Sequence, residues 1–258
     1  RPRDWSADVC SSDLVVSSPY AGMYGPEHAL PLVRDASERD DPHPVFGAFM
    51  NHRVSRSFSQ PEVRDAVMSG YMGLVKQIDD SIGTLMAYLQ ESGLIEQTMI
   101  VFCSDHGDYL GDHWLGEKEF FHEPSIRTPL IIVDPDERAH VTRGTRCDAL
   151  VESVDLLPTF IDVHGGPAVP HVVDGRSLRP WLWGQTPSEW RQAVVSEYDY
   201  SFQDARIELQ TPPRECWLRM IFDGRWKYIL AEGYRPMLFD LRSEEHTSEL
   251  QSRGLISY

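Results

Sequence analysis

Between residues 104 and 127 the chain reads Ser-Asp-His-Gly-Asp-Tyr-Leu-Gly-Asp-His-Trp-Leu-Gly-Glu-Lys-Glu-Phe-Phe-His-Glu-Pro-Ser-Ile-Arg. Asp105 and His106 put a hard anionic oxygen beside a borderline nitrogen, a pairing compatible with Mn²⁺ or Ca²⁺. Gly107 lets the backbone turn sharply next to them. Asp112, His113, Lys118 and His122 follow in the same short stretch. Taken alone, an Asp-His pair after a strand is a turn with a helix cap, and His113 and His122 are ordinary structural histidines. Taken with Lys118, the two histidines become candidate catalytic groups that orient a ligand or contact substrate. Arg127 is expected to pin the loop to a carboxylate, and Asp112 to cap the following turn.

The elements around this stretch must hold it still. Residues 99–103 form a continuous apolar run of the kind a strand buried on both faces needs. Strand ends in open α/β sheets collect ligands, because their loops are free to carry chemistry. Upstream, Ser59-Gln60-Pro61-Glu62 is a helix start, with Ser59 as the capping hydroxyl. Apolar residues from Val67 to Leu89 then keep helical spacing, and Gly93 suits the residue just past the last turn. Asp79 and Asp80 belong to the polar face of that helix. Residues 130–133 form a second strand, and residues 151–163 an amphipathic helix. Alternation of strands and helices predicts an α/β fold with a mainly parallel sheet. Residues 15–56 are rich in Pro and Gly and read as loop. Short apolar runs at 193–198, 216–222, 226–230 and 237–241 close the chain, with Asp223-Gly224 as a hairpin turn between two of them.

The order of strand, Ser-Asp-His-Gly, Gly-Asp-His, Lys and Ser-x-Arg-x-Pro-strand resembles the sulfatase and phosphonate monoester hydrolase branch of the alkaline phosphatase superfamily. In that branch a Lys stands thirteen residues beyond the Asp, and here that Lys is Lys118. The resemblance runs from about residue 15 to 241. It implies an alkaline phosphatase-like α/β domain over 15–190 and a small antiparallel α+β subdomain over 191–241. It further implies hydrolysis of a small-molecule sulfate, phosphate or phosphonate ester. Asp105 and His106 would be metal ligands, and Lys118 would touch a nonbridging or leaving oxygen of the substrate. Residues 18–24 resemble the segment that follows an active-site His loop in the phosphonate hydrolases, and 174–178 a turn leading to a short helix near Gly184. The Asp-Leu-x-Pro-Thr helix at 155–159 would serve packing.

The family's nucleophile is a Cys or Ser in Cys/Ser-x-Pro-x-Arg, converted to formylglycine. None of Cys10, Cys103, Cys147 and Cys216 has Pro at the second following position, and Ser-x-Pro-x-Arg does not occur. The ends of the chain bear on this. Residues 242–252 read as a translated short-read sequencing adapter, and residues 4–14 as its opposite strand in a shifted frame, with Ala7 the one departure. Residues 1–14 and 242–258 are therefore expected to be adapter-derived, and 15–241 an internal fragment of a longer enzyme. Two other readings stay open: a phosphodiesterase of the same superfamily, which the Lys118 spacing disfavours, and a non-catalytic metal-binding domain.

Composition narrows the partners. A formal charge of -16 repels nucleic acid and anionic membrane surfaces. No apolar run reaches the length of about eighteen residues that a membrane span requires. Scattered cysteines make no disulfide framework, which favours a cytoplasmic setting. Self-association into a homo-oligomer is left open.

Overall fold

A computed structural model describes residues 14–168 and 170–241. The adapter-like ends, Leu14 excepted, lie outside the described residues. The Pro-rich stretch expected to be loop contains two helices, α1 (Pro44–Met50) and α2 (Arg53–Phe58). Pro44 occupies the first helical turn, where a missing N–H costs nothing, and His43 Nδ1 accepts the Val45 N–H at 3.3 Å. The prolines thus start α1 rather than prevent it. Helix α3 (Pro61–Glu91) follows the same device, with Pro61 in its first turn. Ser59 does not cap it; its hydroxyl donates back to the Ser55 carbonyl at 3.0 Å and closes α2. Gly93 ends α3 in the left-handed conformation at φ 72°, as its position predicts. Asp79 and Asp80 face solvent and pair with Lys76.

Strand β1 (Ile100–Cys103) leads into the acidic loop, a single-turn helix α4 (Glu123–Ile126) closes that loop, and β2 (Leu130–Val133) follows. β2 returns antiparallel to β1, with Ile100 opposite Val133 and Cys103 opposite Leu130. The expected parallel pairing and two-sided burial are not what these two strands show. The chain between them reverses through a loop, not a helical crossover, and a reversing loop delivers an antiparallel neighbour. Nothing among the described residues covers both faces, so Phe102, Ile131 and Val133 stay exposed.

Beyond β2 come α5 (Leu156–Val163), entered through a 3-10 turn at Ser153–Asp155, and α6 (Arg179–Leu182). Asp155 is fully buried and holds Arg191 and the backbone N–H groups of Glu152 and Arg176. The helix therefore packs, as its motif implies. Strand β3 (Val194–Asp199), helix α7 (Asp204–Leu209), and strands β4 (Trp217–Phe222), β5 (Trp226–Ala231) and β6 (Met237–Asp240) follow, up to the last described residue. The strands form one antiparallel sheet in the order β3-β4-β5-β6. Asp223 and Gly224, the latter at φ 92°, turn the β4-β5 hairpin.

One core joins the sheet to the acidic loop. Leu218, Met220, Ile229 and Phe239 from the sheet, Val45, Phe46 and Phe49 from α1, and Tyr109, Leu115, Phe120 and Phe121 from the loop are all buried in it. The loop is held as interior is held, not as a surface segment.

Candidate metal centre

Asp105 and His106 sit where β1 ends, and their chemistry is fixed locally. One oxygen of Asp105, Oδ1, accepts the His106 N–H at 3.0 Å, and Ser104 Oγ donates to the His106 carbonyl at 2.7 Å. The first of these bonds is the main reason the Asp105 carboxyl titrates below its usual range. His106 Nδ1 lies 2.8 Å from the Gly107 carbonyl oxygen. A carbonyl can only accept, so Nδ1 carries the proton and, in the neutral ring, Nε2 carries the lone pair. That nitrogen faces Asp105 Oδ2 at 3.4 Å.

Two acceptors facing each other across that gap repel unless a positive charge lies between them. The spacing suits two neighbouring ligands of one cation, which sit roughly 3–3.4 Å apart when each is about 2.1–2.4 Å from the metal. Asp105 and His106 thus fit a divalent ion as part of its ligand set. Among the described residues no group of three or more His, Cys, Asp or Glu side chains is arranged to hold one.

The loop beyond is strained. Leu110, His113, Trp114, Glu117 and Phe120 all have positive φ, between 47° and 75°, and Gly111 stands at 99°. Non-glycine residues in that region cost energy, and they persist where packing over-determines them, commonly at functional sites. Here Tyr109, Leu115, Phe120 and Phe121 supply that packing. Gly107 is not among the positive-φ residues. It is needed because a Cβ there would run into the Pro124 carbonyl, and its N–H donates to the Ser125 carbonyl at 2.7 Å.

Asp108 was missed by sequence reasoning, because one more acid in an acidic loop carries no mark of its own. Its Oδ1 accepts the Leu110 N–H at 2.8 Å, and burial pushes its carboxyl up to about 6. The charges of His106 and Lys118 both act on it and pull the other way. The Lys118 backbone is held in turn, with its carbonyl accepting from Ser125 Oγ and its N–H donating to Glu119 Oε2 at 3.2 Å.

His113 and His122 are buried and face each other rather than solvent. Their rings stack with centroids 4.3 Å apart. His113 Nδ1 meets Glu38 Oε1 at 3.0 Å, and His122 Nδ1 meets the Tyr109 hydroxyl at 2.8 Å. Burial drives the His122 ring well below its usual range, with His113 and Lys227 adding to the effect. Asp112 accepts the Val33 N–H at 2.9 Å, tying the loop to the segment before α1 instead of capping the next turn. Arg127 pairs loosely with Glu123 at 3.9 Å and is largely exposed.

The profile of the Sulfatase family matches residues 38–166. The multifunctional alkaline phosphatase superfamily protein PehA of Trinickia caryophylli is 33% identical over 250 residues, 90% of this chain and 48% of its own. The N-acetylglucosamine-6-O-sulfatase of Bacteroides thetaiotaomicron is 38% identical over 133 residues, 51% of this chain and 23% of its own. In three dimensions, the phosphonate monoester hydrolase SpPMH from Silicibacter pomeroyi superposes with a TM-score of 0.80 at 36% identity, over 90% of this chain and 48% of that one. The chain spans at most about half the length of these relatives.

Proposed function

This chain belongs to the sulfatase family, and we propose on that premise that it carries part of the centre of a metal-dependent hydrolase of sulfate, phosphate or phosphonate esters. The observation that carries the reading is the His106 Nε2 lone pair facing Asp105 Oδ2 at 3.4 Å. Those two atoms would hold one divalent cation, Mn²⁺ or Ca²⁺, together with ligands from outside the described residues. When bound, such an ion supplies Lewis acidity at the ester's tetrahedral centre.

The chain's own groups divide the remaining tasks. Lys118 places a point charge where a nonbridging or leaving oxygen gathers negative charge. Asp108, whose carboxyl burial raises to about 6, is within the electrostatic reach of both Lys118 and His106 and contributes to the local charge. His113 and His122 serve as a buried brace behind the loop. No Cys/Ser-x-Pro-x-Arg occurs in these 258 residues, so the formylglycine that this reading requires would have to come from outside them, and the chain alone is expected to bind metal weakly and turn nothing over.

The test is a Mn²⁺ titration followed by electron paramagnetic resonance. Asp105→Asn and His106→Gln are each expected to weaken binding by about tenfold or more, the effect of removing one of few ligands, while Lys118→Ala leaves it unchanged. Equal binding by all four proteins would overturn the reading.

A further inference from the structure

Alternation along β5 puts Lys227 on the wrong face. In the antiparallel register Leu218 and Met220 of β4, Ile229 and Ala231 of β5, and Met237 and Phe239 of β6 all point into the core. Lys227 continues that inward row, paired across the sheet with Phe222 and Phe239, and only 3% of it is exposed. A cation in an apolar row costs several kcal/mol unless it is paired and hydrogen-bonded. Two partners offset that cost, and neither belongs to the sheet. Lys227 Nζ donates to the Phe121 carbonyl at 2.7 Å and to Glu123 Oε1 at 2.6 Å, across more than a hundred residues of chain.

Both partners belong to the turn that enters α4, and α4 touches both halves of the candidate centre. Its Ser125 carbonyl accepts the Gly107 N–H, next to His106. Its Ser125 hydroxyl donates to the Lys118 carbonyl. A continuous set of hydrogen bonds therefore runs from β5 through α4 to Asp105-His106 on one side and Lys118 on the other. A mere structural filler at position 227 would be met by Leu or Met, as its neighbours in the row are. The ammonium instead fixes the height and rotation of α4 by two directed bonds.

We propose that Lys227 is a positioning residue, through which the C-terminal sheet sets the spacing of the Asp105-His106 pair and Lys118. The proposal rests on the reading of that pair as metal ligands for its consequence, but its physical content is independent of it. It is tested on the full chain by amide hydrogen exchange resolved by NMR, beside the Mn²⁺ titration. Lys227→Met keeps the volume and the apolar row while removing both bonds. The expected result is exchange of the Gly107 amide about tenfold faster or more, the effect of losing a fixed acceptor, with the β4-β5 amides of Leu218 and Ile229 unchanged. Ser125→Ala, which leaves the sheet and Lys227 untouched, is expected to shift the resonances of Lys118 but not the β4-β5 amides. Mn²⁺ affinity should fall in Lys227→Met wherever the wild type binds the ion.

Unchanged Gly107 exchange in Lys227→Met overturns the proposal, as does uniform acceleration that includes the β4-β5 amides, since that is global destabilisation. If Lys227→Met does not fold, Ser125→Ala decides: no change at Lys118 overturns the link. Absence of Mn²⁺ binding in the wild type would remove the metal reading while leaving the exchange result to stand or fall by itself.

Discussion

The rings of His113 and His122 lie nearly parallel, 17° apart, with centroids 4.3 Å from one another inside the loop. Each is anchored at its far side, His113 by Glu38 and His122 by the Tyr109 hydroxyl, which also accepts the His122 N–H at 3.3 Å. The hydroxyl therefore both accepts from and donates to one residue. Replacing His122 by Phe keeps the ring but leaves the Tyr109 hydroxyl without its acceptor, at a cost of about 1–3 kcal/mol. In Tyr109→Phe the imidazole loses its donor at similar cost. The double variant is expected to be more stable than the sum of the singles by about 1–2 kcal/mol, because it removes both ends of one bond. Urea unfolding of the four proteins measures this, and additive costs would contradict the brace. Mn²⁺ affinity should be the same in all four.

Acid should loosen the chain through His43. The ring is buried, its Nε2 donates to the Arg235 carbonyl at 2.8 Å, and burial holds its pKa at about 4 instead of 6.5. The unfolded chain thus takes up this proton at higher pH than the folded one. Stability from His43 is complete above pH 6.5 and is lost as pH falls towards 4, by roughly 3 kcal/mol in all. Asp108 acts in the opposite sense, since burial raises its carboxyl to about 6 and favours the protonated folded form. Only a difference measurement separates the two. His43→Asn preserves a donor for Arg235 and an acceptor for the Val45 N–H. Subtracting its stability curve from that of the wild type should give a slope confined to pH 4–6.5. A flat difference would show that His43 titrates normally.

Two glycines should respond to alanine with opposite signs. At Gly107 a Cβ meets the Pro124 carbonyl, and moving away breaks the 2.7 Å bond to Ser125. Gly107→Ala is expected to cost about 1–3 kcal/mol, as overpacking does, and to weaken Mn²⁺ binding. At Gly83, inside α3, nothing lies within 4 Å of the added carbon. Gly83→Ala is expected to gain up to about 1 kcal/mol from helix propensity. Thermal melts of both variants check the pair, and equal shifts would refute the close approach at Gly107.

These residues also show which parts of the molecule were legible in the sequence. Asp105, His106 and Lys118 could be picked out because adjacency and spacing are linear properties, and the helix ending at Gly93 because periodicity and a left-handed cap are local. The direction of β2 was not legible, since β1 and β2 are four-residue apolar runs whose pairing depends on how the intervening loop folds. Helix α1 was hidden by Pro42 and Pro44, which signal breakage unless they fall in a first turn. Asp108 and Lys227 were invisible for a different reason. Each is an ordinary charged residue whose meaning comes from burial, and burial is set by partners far away in the chain. The turn at Asp223-Gly224 fixes the β5 register and so offered the one sequence clue that Lys227 faces inward.

Apolar side chains left open on two sheets predict self-association. On β1-β2, Ile131 is 59% exposed, with Phe102 and Val133 beside it. On the outer face of the second sheet, Val195 lies directly opposite Ile221, with Leu230 exposed on the neighbouring strand. Among the described residues both β1 and β2 are edges, with N–H and C=O groups open beside the apolar patch, the combination that recruits another chain. Sedimentation velocity at micromolar protein should therefore give species well above the 29.5 kDa of one chain. Placing a charge at the centre of the β1-β2 patch, in Ile131→Lys, should shift the distribution towards the single chain without lowering the melting temperature, because that side chain packs against little. A control charge at an exposed polar position of α3, Gln90→Lys, should leave association as it was. If the unmodified chain sediments as one copy and melts cooperatively, the open faces do not attract one another and the prediction fails.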